Sequence, residues 1–231
     1  MKNKRPDLNG ILVVDKPLGW SSAYVCRLIR SRTGGAKVGH AGTLDPLATG
    51  VLVICLGKAT KRIPDLMDET KHYLATVDLS RTSTTQDLEG ELTTVSVERV
   101  PTRDEVAIAC AAFVGPIMQT PPSHSAVWID GERAYKKARR GETVAVRARP
   151  VVIDAIAIVS YEWPLLVIDV RCRKGTYIRS LARDVGERLG AGGMLTALCR
   201  TRVGAFGVEG AATPEQATDE LSARMSPVAV D

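Results

Sequence analysis

Residues 39–52 read GHAGTLDPLATGVL, and around this stretch the rest of the chain falls into place. It opens as a long loop of glycine and polar residues, Gly39 to Gly50, and runs into the apolar segment Val51 to Leu56, which has the length and composition of a buried strand. Asp45-Pro46 at its centre is by itself an ordinary turn dipeptide. Loops held by a scaffold are nevertheless where functional side chains concentrate, and this one carries an imidazole, hydroxyls and a carboxylate between glycines.

Working outward, Gly10 to Asp15 (GILVVD) is a short β run stopped by Lys16-Pro17 and Gly19, after which Ser21 or Ser22 can cap a basic helix reaching Arg32. Lys71 to Leu79 (KHYLATVDL) reads as a half-buried strand. Thr102 with Glu105 makes a capping box for a helix through Phe113, ended by Gly115-Pro116. Asp130-Gly131 signals a hairpin, Ala134 to Arg140 has a helical look, and Val151 to Val159 pairs with Leu165 to Arg171 across Trp163-Pro164. Ile178, Leu181, Ala182, Val185 and Leu189 form the apolar stripe of a helix packed on a sheet. Thr213-Pro214 with Gln216 starts a last short helix. This order lacks a regular β-α-β alternation, so the expected class is α+β with a largely antiparallel sheet and helices packed against it.

The 231 residues are 45% apolar and 25% charged with net charge +5, which excludes a disordered chain, a fibrous repeat and a disulfide miniprotein. The N-terminal MKNKRPDLNG has no apolar core of a signal peptide and no apolar run is long enough to span a bilayer, so a cytoplasmic protein without membrane contact is expected. Five cysteines, at 26, 55, 110, 172 and 199, make an odd set without a C-x-x-C pair. They are read as reduced, mostly buried thiols rather than disulfides or zinc ligands. The modest net charge hides segregation: residues 1–62 carry +8, 121–150 carry +4 and 171–203 carry +6, whereas 63–120, 151–170 and 204–231 are acidic. Brought together, the basic blocks would form a surface for a phosphate backbone; held apart, they are three solvated faces.

Four segments carry chemistry-bearing residues that a purely structural chain does not need: Asp15–Ser22 (DKPLGWSS), Gly39–Leu52, Lys71–Thr76 (KHYLAT) and Arg173–Leu181 (RKGTYIRSL). None is a phosphate-binding P-loop, a dinucleotide fingerprint, a zinc-protease helix or a nucleophile elbow. In order and spacing the four resemble the TruB family of pseudouridine synthases, and the resemblance extends from the start of the chain to about residue 205. It implies a pseudouridine synthase fold, α+β, whose mixed, mostly antiparallel central sheet is flanked by helices and crossed by an RNA-binding cleft. The activity implied is isomerisation of the uridine at position 55 in the T-loop of tRNA, with no metal and no organic cofactor.

By the same resemblance Asp45 matches the catalytic aspartate, Tyr73 the tyrosine that stacks on the flipped uracil, and Arg179 the arginine that pairs with the aspartate. His40 matches the histidine that enters the T-loop and helps displace the base; Lys16 and Pro17 match the first motif; Tyr177 lies beside the uracil site; Leu198 falls where a pocket residue is expected. Thr43 and Lys174, inside two of the matched segments, are taken as RNA contacts. His72 and His124 are read as structural, and Asp15, Asp78 and Asp87 as supporting or turn residues. Two departures stand out. Trp20-Ser21 replaces the more frequent Thr or Met followed by Thr. The catalytic domain is expected over 1–210, with an insertion within 65–150, and 211–231 as a short tail in place of the PUA RNA-binding domain of many relatives.

The expected partner is the T-arm stem-loop of tRNA, with no obligatory protein partner and a monomeric enzyme. A carboxylate beside an anomeric carbon can stabilise positive character there or attack it, so a single ionised aspartate suffices where a hydrolase needs an acid and a base. Extracting a stacked base calls for an aromatic face and an inserted side chain. Two other classes compete: a non-catalytic RNA-binding or tRNA-chaperone module, which has no use for a carboxylate in a basic cleft, and a small glycosidase, which lacks an evident second acid.

Overall fold

In the computed structural model, which describes residues 8–125, 128, 129, 131–134, 137, 140, 142 and 146–226, the first apolar run is strand β1 (Gly10–Lys16). Ser21 caps helix α1 (Ser22–Arg32), its hydroxyl accepting from the Tyr24 amide. Strands β2 (Val38–His40) and β3 (Ala48–Leu56) follow, then a 3-10 turn, helix α2 (Ile63–Asp68) and strand β4 (Lys71–Asp78). The middle of the chain holds β5 (Arg81–Ser83), β6 (Leu92–Thr94), helix α3 (Arg103–Ala111), β7 (Gly115–Gln119), β8 (Trp128–Ile129) and β9 (Glu132–Arg133). The last part holds β10 (Arg149–Glu162), β11 (Leu165–Cys172), helix α4 (Ile178–Arg188), β12 (Met194–Val203), β13 (Phe206–Gly207), and helices α5 (Pro214–Asp219) and α6 (Leu221–Arg224). The class is the expected one, mixed α and β with mostly antiparallel pairing.

The chain forms two compact units, one made of residues up to Tyr73 and from Leu198 onward, the other of Leu74–Ala197. In the first unit β3 is the central strand. It pairs antiparallel with β1, from Gly10 opposite Leu56 to Lys16 opposite Gly50, and with β2, while Leu198–Arg200 of β12 run parallel to Ala48–Gly50. A strand buried on both faces reads as a continuous apolar run, which is why VLVICL was legible. Its even-numbered side chains, Leu52, Ile54 and Leu56, pack with Val25 and Ile29 of α1; Val51, Val53 and Cys55 face the opposite way toward Leu66 and Val203. The segment after residue 210 closes the outer edge of β1: Ala212 bonds to Val13 and Asp15, and Ser226 exchanges both backbone bonds with Ile11. Its helix α5 begins with a complete Thr213/Gln216 capping box and proline in the first turn. An edge covered this way offers no template for another chain.

The second unit is built on a β10–β11 hairpin, with β7 on the far side of β10. Its turn at Trp163-Pro164 is where the sequence places it. Helix α3 has the expected Thr102/Glu105 box but stops at Ala111, before Phe113, and Gly115 (φ 103) with Pro116 does not merely end the helix but starts β7. Helix α4 buries Ile178, Leu181, Ala182 and Val185, the predicted stripe. Strands β8 and β9 form the expected hairpin, with Gly131 in the left-handed region at φ 81; Asp130 and most of the segment from Ala134 to Arg140 lie outside the described residues. All five cysteines are free, and Cys55, Cys110 and Cys172 are buried. No helix among the described residues is long and apolar enough to cross a membrane.

One glycine sets the approach of β12 to β3. Gly50 has φ 93, and a Cβ there would lie 2.3 Å from the Arg200 carbonyl oxygen. Gly50→Ala is therefore expected to destabilise the protein by about 1 to 3 kcal/mol from backbone strain alone, with the clash added. Urea unfolding of the variant, read as a lower midpoint at unchanged slope, checks this.

Candidate active site

The loop 41–47 joins β2 to β3 and carries Asp45, and its main chain is held from several sides. At the near end the Ala41 amide donates to the Val53 carbonyl at 2.9 Å, and at the far end the Ala48 amide donates to the Asp45 carbonyl at 3.0 Å. Because Ser21 takes the capping role, the buried Ser22 hydroxyl is available to the loop. It donates to the Leu44 carbonyl at 2.9 Å and accepts from the Leu44 amide at 2.8 Å. The Gly19 amide donates to the Pro46 carbonyl at 2.8 Å. Both chain neighbours of Asp45 are thus fixed, and Leu44 is sunk in the core shared with β1 and α1.

A third hold comes from β12. Arg200 is 1% exposed, and its guanidinium donates to the carbonyls of Val51 (2.8 Å), Gly42 (3.0 Å) and Thr43 (3.4 Å). The charge count places this arginine in the basic block 171–203, read either as part of a phosphate-binding surface or as a solvated face; the structure turns it inward. Lys16 is also fully buried, its ammonium donating to the carbonyls of Pro17 at 2.8 Å and Trp20 at 2.7 Å. Lys16, read from the first motif as a substrate- or RNA-binding residue, therefore faces the β1–α1 turn and not the outside. Burial pushes the Lys16 pKa down to about 8, Asp45 opposes the shift, and Arg200 adds to it.

His40 ends β2 half-buried, and its Nδ1 has no hydrogen-bond partner among the described residues. Burial, reinforced by the positive charge of Arg200, holds its pKa below the ordinary imidazole value, so the ring is neutral near pH 7. Thr43 is exposed beside it. Tyr73 and Leu198, both partly buried, pack against the core cluster that contains Leu44 and Ala48. The first unit thus holds Lys16, His40, Asp45, Tyr73 and Leu198, with Tyr73 and Leu198 packed on the same core cluster as Leu44, the residue before Asp45.

The remaining residues belong to the second unit. Arg179, in the first turn of α4, is buried against Asp87, with Nη1 to Oδ2 at 3.1 Å and side chains 7% and 2% exposed. The same guanidinium donates to the carbonyls of Thr85 at 3.0 Å and His124 at 3.1 Å. Asp87, which the sequence offers as a supporting or turn residue, is an acceptor for this arginine, and it also takes the Glu89 amide at 3.0 Å. Tyr177 precedes α4, its amide and carbonyl both bound by the Gln119 side chain, and the Arg149 guanidinium lies 4.9 Å from its ring centroid. Lys174 is exposed in the turn before it, next to Gly175 at φ 87. Arg200, Ser22 and Gln119 escaped the sequence reading, and Asp87 is read there without its arginine partner. For Ser22 a signal existed, since two adjacent serines cannot both cap one helix; for Asp87 and Gln119 none did, because their partners are distant in the chain.

Comparison with known proteins gives the same direction. Residues 30–178 match the family described as TruB family pseudouridylate synthase (N terminal domain). The chain is 46% identical over 220 residues to tRNA pseudouridine synthase B of Paenarthrobacter aurescens (strain TC1), covering 93% of this chain and 71% of that protein. To tRNA pseudouridine synthase B of Phocaeicola vulgatus it is 50% identical over 200 residues, covering 84% of this chain and 85% of that protein. Among solved structures it is similar to a chain of a Cbf5-Nop10-Gar1 complex, at TM-score 0.71 and 30% identity over 91% of this chain. It is also similar to a chain of an H/ACA RNP bound to a substrate RNA containing 2'-deoxyuridine, at TM-score 0.68 and 28% identity. The chain spans 54% and 52% of those two solved chains. The fold is that of an RNA pseudouridine synthase. Within that class, the chain belongs to the TruB family of pseudouridylate synthases.

Two measurements probe this geometry. Removing one partner of a buried ion pair leaves an uncompensated charge, so Asp87→Ala is expected to lower stability by about 3 to 5 kcal/mol, read from urea unfolding. His40 should titrate, in histidine NMR spectra, below the ordinary value of about 6.5. The unfolded chain then binds the proton first, so stability falls as pH drops below that value and continues to fall until the folded pKa is reached. Replacing His40 with glutamine should flatten this part of the stability-against-pH curve.

Proposed function

We propose that this chain converts the uridine at position 55 in the T-loop of tRNA to pseudouridine, with Asp45 as the catalytic carboxylate. The observation that carries the reading is the anchoring of Asp45 itself, between Leu44 tied to Ser22 and Pro46 tied to Gly19, in a chain of the TruB family. A carboxylate on a freely moving turn is of little use to a reaction that needs one placed to a fraction of an ångström.

The reaction breaks the bond from ribose C1′ to N1, turns the freed uracil and joins C5 to C1′. C5 gives up its proton and N1 gains one, so composition is unchanged and no redox partner is required. Asp45 serves the step in which C1′ is electron-poor: a single carboxylate can attack that carbon, or take the C2′ proton to give a glycal, and both routes run through the same two oxygens. Arg179 is the guanidinium proposed to pair with it, which favours the charged carboxylate and fixes its rotamer. Tyr73 offers the stacking face for the extruded uracil, Leu198 an apolar wall that keeps water from the electron-poor ribose, and Tyr177 a second neighbour of the base.

His40 suits the space vacated by the base. A neutral half-buried imidazole with an unpartnered nitrogen gains a hydrogen bond when a nucleotide supplies one. Pro17 shapes the turn before α1, and Thr43 and Lys174, both exposed, contact the RNA backbone. The proposed substrate is the T-arm, the enzyme a monomer of the cytoplasm.

The test is incubation of the protein with unmodified tRNA transcript, followed by carbodiimide labelling and mass spectrometry. Pseudouridine at position 55 is expected with the wild type. Asp45→Asn keeps the shape and removes the charge, so it should bind tRNA and form no product; substantial turnover by it removes Asp45 from the mechanism. Product at another position, with none at 55, overturns the specificity.

A further inference from the structure

We infer that Arg200 is a positioning residue for Asp45, its guanidinium clamping the main-chain carbonyls of Gly42, Thr43 and Val51 on both sides of the aspartate. The inference rests on the reading of Asp45 as the catalytic carboxylate.

The first ground is the choice of side chain. Arg200 is among the largest fully buried side chains of the protein, and none of the described residues forms a salt bridge with it. Every acceptor is a main-chain carbonyl, and all three belong to the segment that leads into and out of the Asp45 turn. Removing a guanidinium from water costs several kcal/mol by order of magnitude, and apolar residues of similar volume often replace buried charges at no loss of stability. If the position only filled the core, an aliphatic residue would be the better occupant. What an aliphatic residue cannot do is bind two carbonyls of a loop that lacks a regular strand partner and tie them to Val51 of β3.

The second ground is geometry. The guanidinium is a rigid plane with donors in fixed directions, and here both ends of its side chain are held. Its own main chain is set by the Arg200–Gly50 register of the parallel β3–β12 pair, where the absence of a Cβ at Gly50 allows the two backbones to meet. Its head grips Gly42 and Thr43 before Asp45 and Val51 after it. Ser22 holds Leu44 through both its amide and its carbonyl. The aspartate is therefore bracketed by two independent side-chain clamps, one from α1 and one from β12, neither of which needs to touch the substrate.

Two substitutions test this. Arg200→Lys keeps the charge and loses the planar fork; Arg200→Gln keeps a planar donor and loses the charge and reach. Both are to be compared with wild type and with Asp45→Asn for folding by circular dichroism, for tRNA affinity by filter binding, and for single-turnover pseudouridine formation at saturating tRNA. The expected result is a folded protein, unchanged affinity, and a rate lower by about 100-fold, the scale of a 1 Å misplacement of a reacting group. Hydrogen exchange should accelerate in residues 41–51 and stay unchanged in α1. A wild-type rate in folded Arg200→Lys overturns the inference, as does a loss of affinity that matches the loss of rate, or unfolding of both variants, which would make the arginine a folding element. An inactive Asp45→Asn beside a fast Arg200→Lys sinks the inference alone; an active Asp45→Asn sinks the parent reading and the inference with it.

Discussion

The placement of Asp45 depends on polar groups buried beneath a loop that has no strand to pair with. Backbone amides and carbonyls taken out of water must be satisfied or they cost free energy. Loop 41–47 meets that demand by borrowing the Ser22 hydroxyl, the Gly19 amide and the Arg200 guanidinium. Each lender is fixed by regular structure: Ser22 by the first turn of α1, Arg200 by the parallel register of β12 on β3. The aspartate inherits the rigidity of a helix and a sheet although it belongs to neither. Remove the regular elements and the loop has no reason to hold one shape.

Two of the cations buried in the first unit, Lys16 and Arg200, lie close enough to the loop to act on its charge balance. Lys16 and Arg200 both donate to main-chain carbonyls, and each lowers the readiness of its surroundings to accept more positive charge. His40 shows the effect, since burial and Arg200 together keep its ring neutral. A site that must stabilise negative charge on a carboxylate gains from fixed positive charge that does not have to reorganise during the reaction. The carbonyl oxygens offset the desolvation of the cations, and the bonds of Arg200 to Gly42 and Thr43 anchor the loop as well.

Much of the fold was legible because it obeys local rules. The capping boxes at Thr102 and Thr213, the turn at Gly131, the two-residue connection at Trp163-Pro164 and the stripe of α4 are each encoded within a few residues of one another. Of the site, the segments around Asp45, Tyr73 and Arg179 were legible through their resemblance to a family rather than through spacing. What stayed hidden is what long-range pairing decides. Arg200 and Lys16 counted toward a basic surface because charge in a sequence carries no direction, and only the fold reveals that both point inward. Asp87 stood in a polar turn like any other, with its arginine 92 positions away. The early start of β3 at Ala48 within the glycine-rich stretch follows from Gly50, whose left-handed backbone permits a strand to begin where composition suggests a loop.

The second unit applies the same economy to Arg179. Its fork is aimed by Asp87 and by the carbonyls of Thr85 and His124, all within its own unit. Tyr177 just before it is locked at its amide and carbonyl by Gln119, and its ring lies under Arg149. The orientation of Arg179 is thus supported from within its own unit. An isomerase must keep a detached base and an electron-poor ribose in register through several bond changes, and each group that is already aimed removes a reorganisation from the barrier. A hydrolase can let water finish the reaction; an isomerase has to bring two detached partners together again, and a side chain fixed in advance by its own backbone, as Arg179 is by α4 and its acceptors, suits that demand.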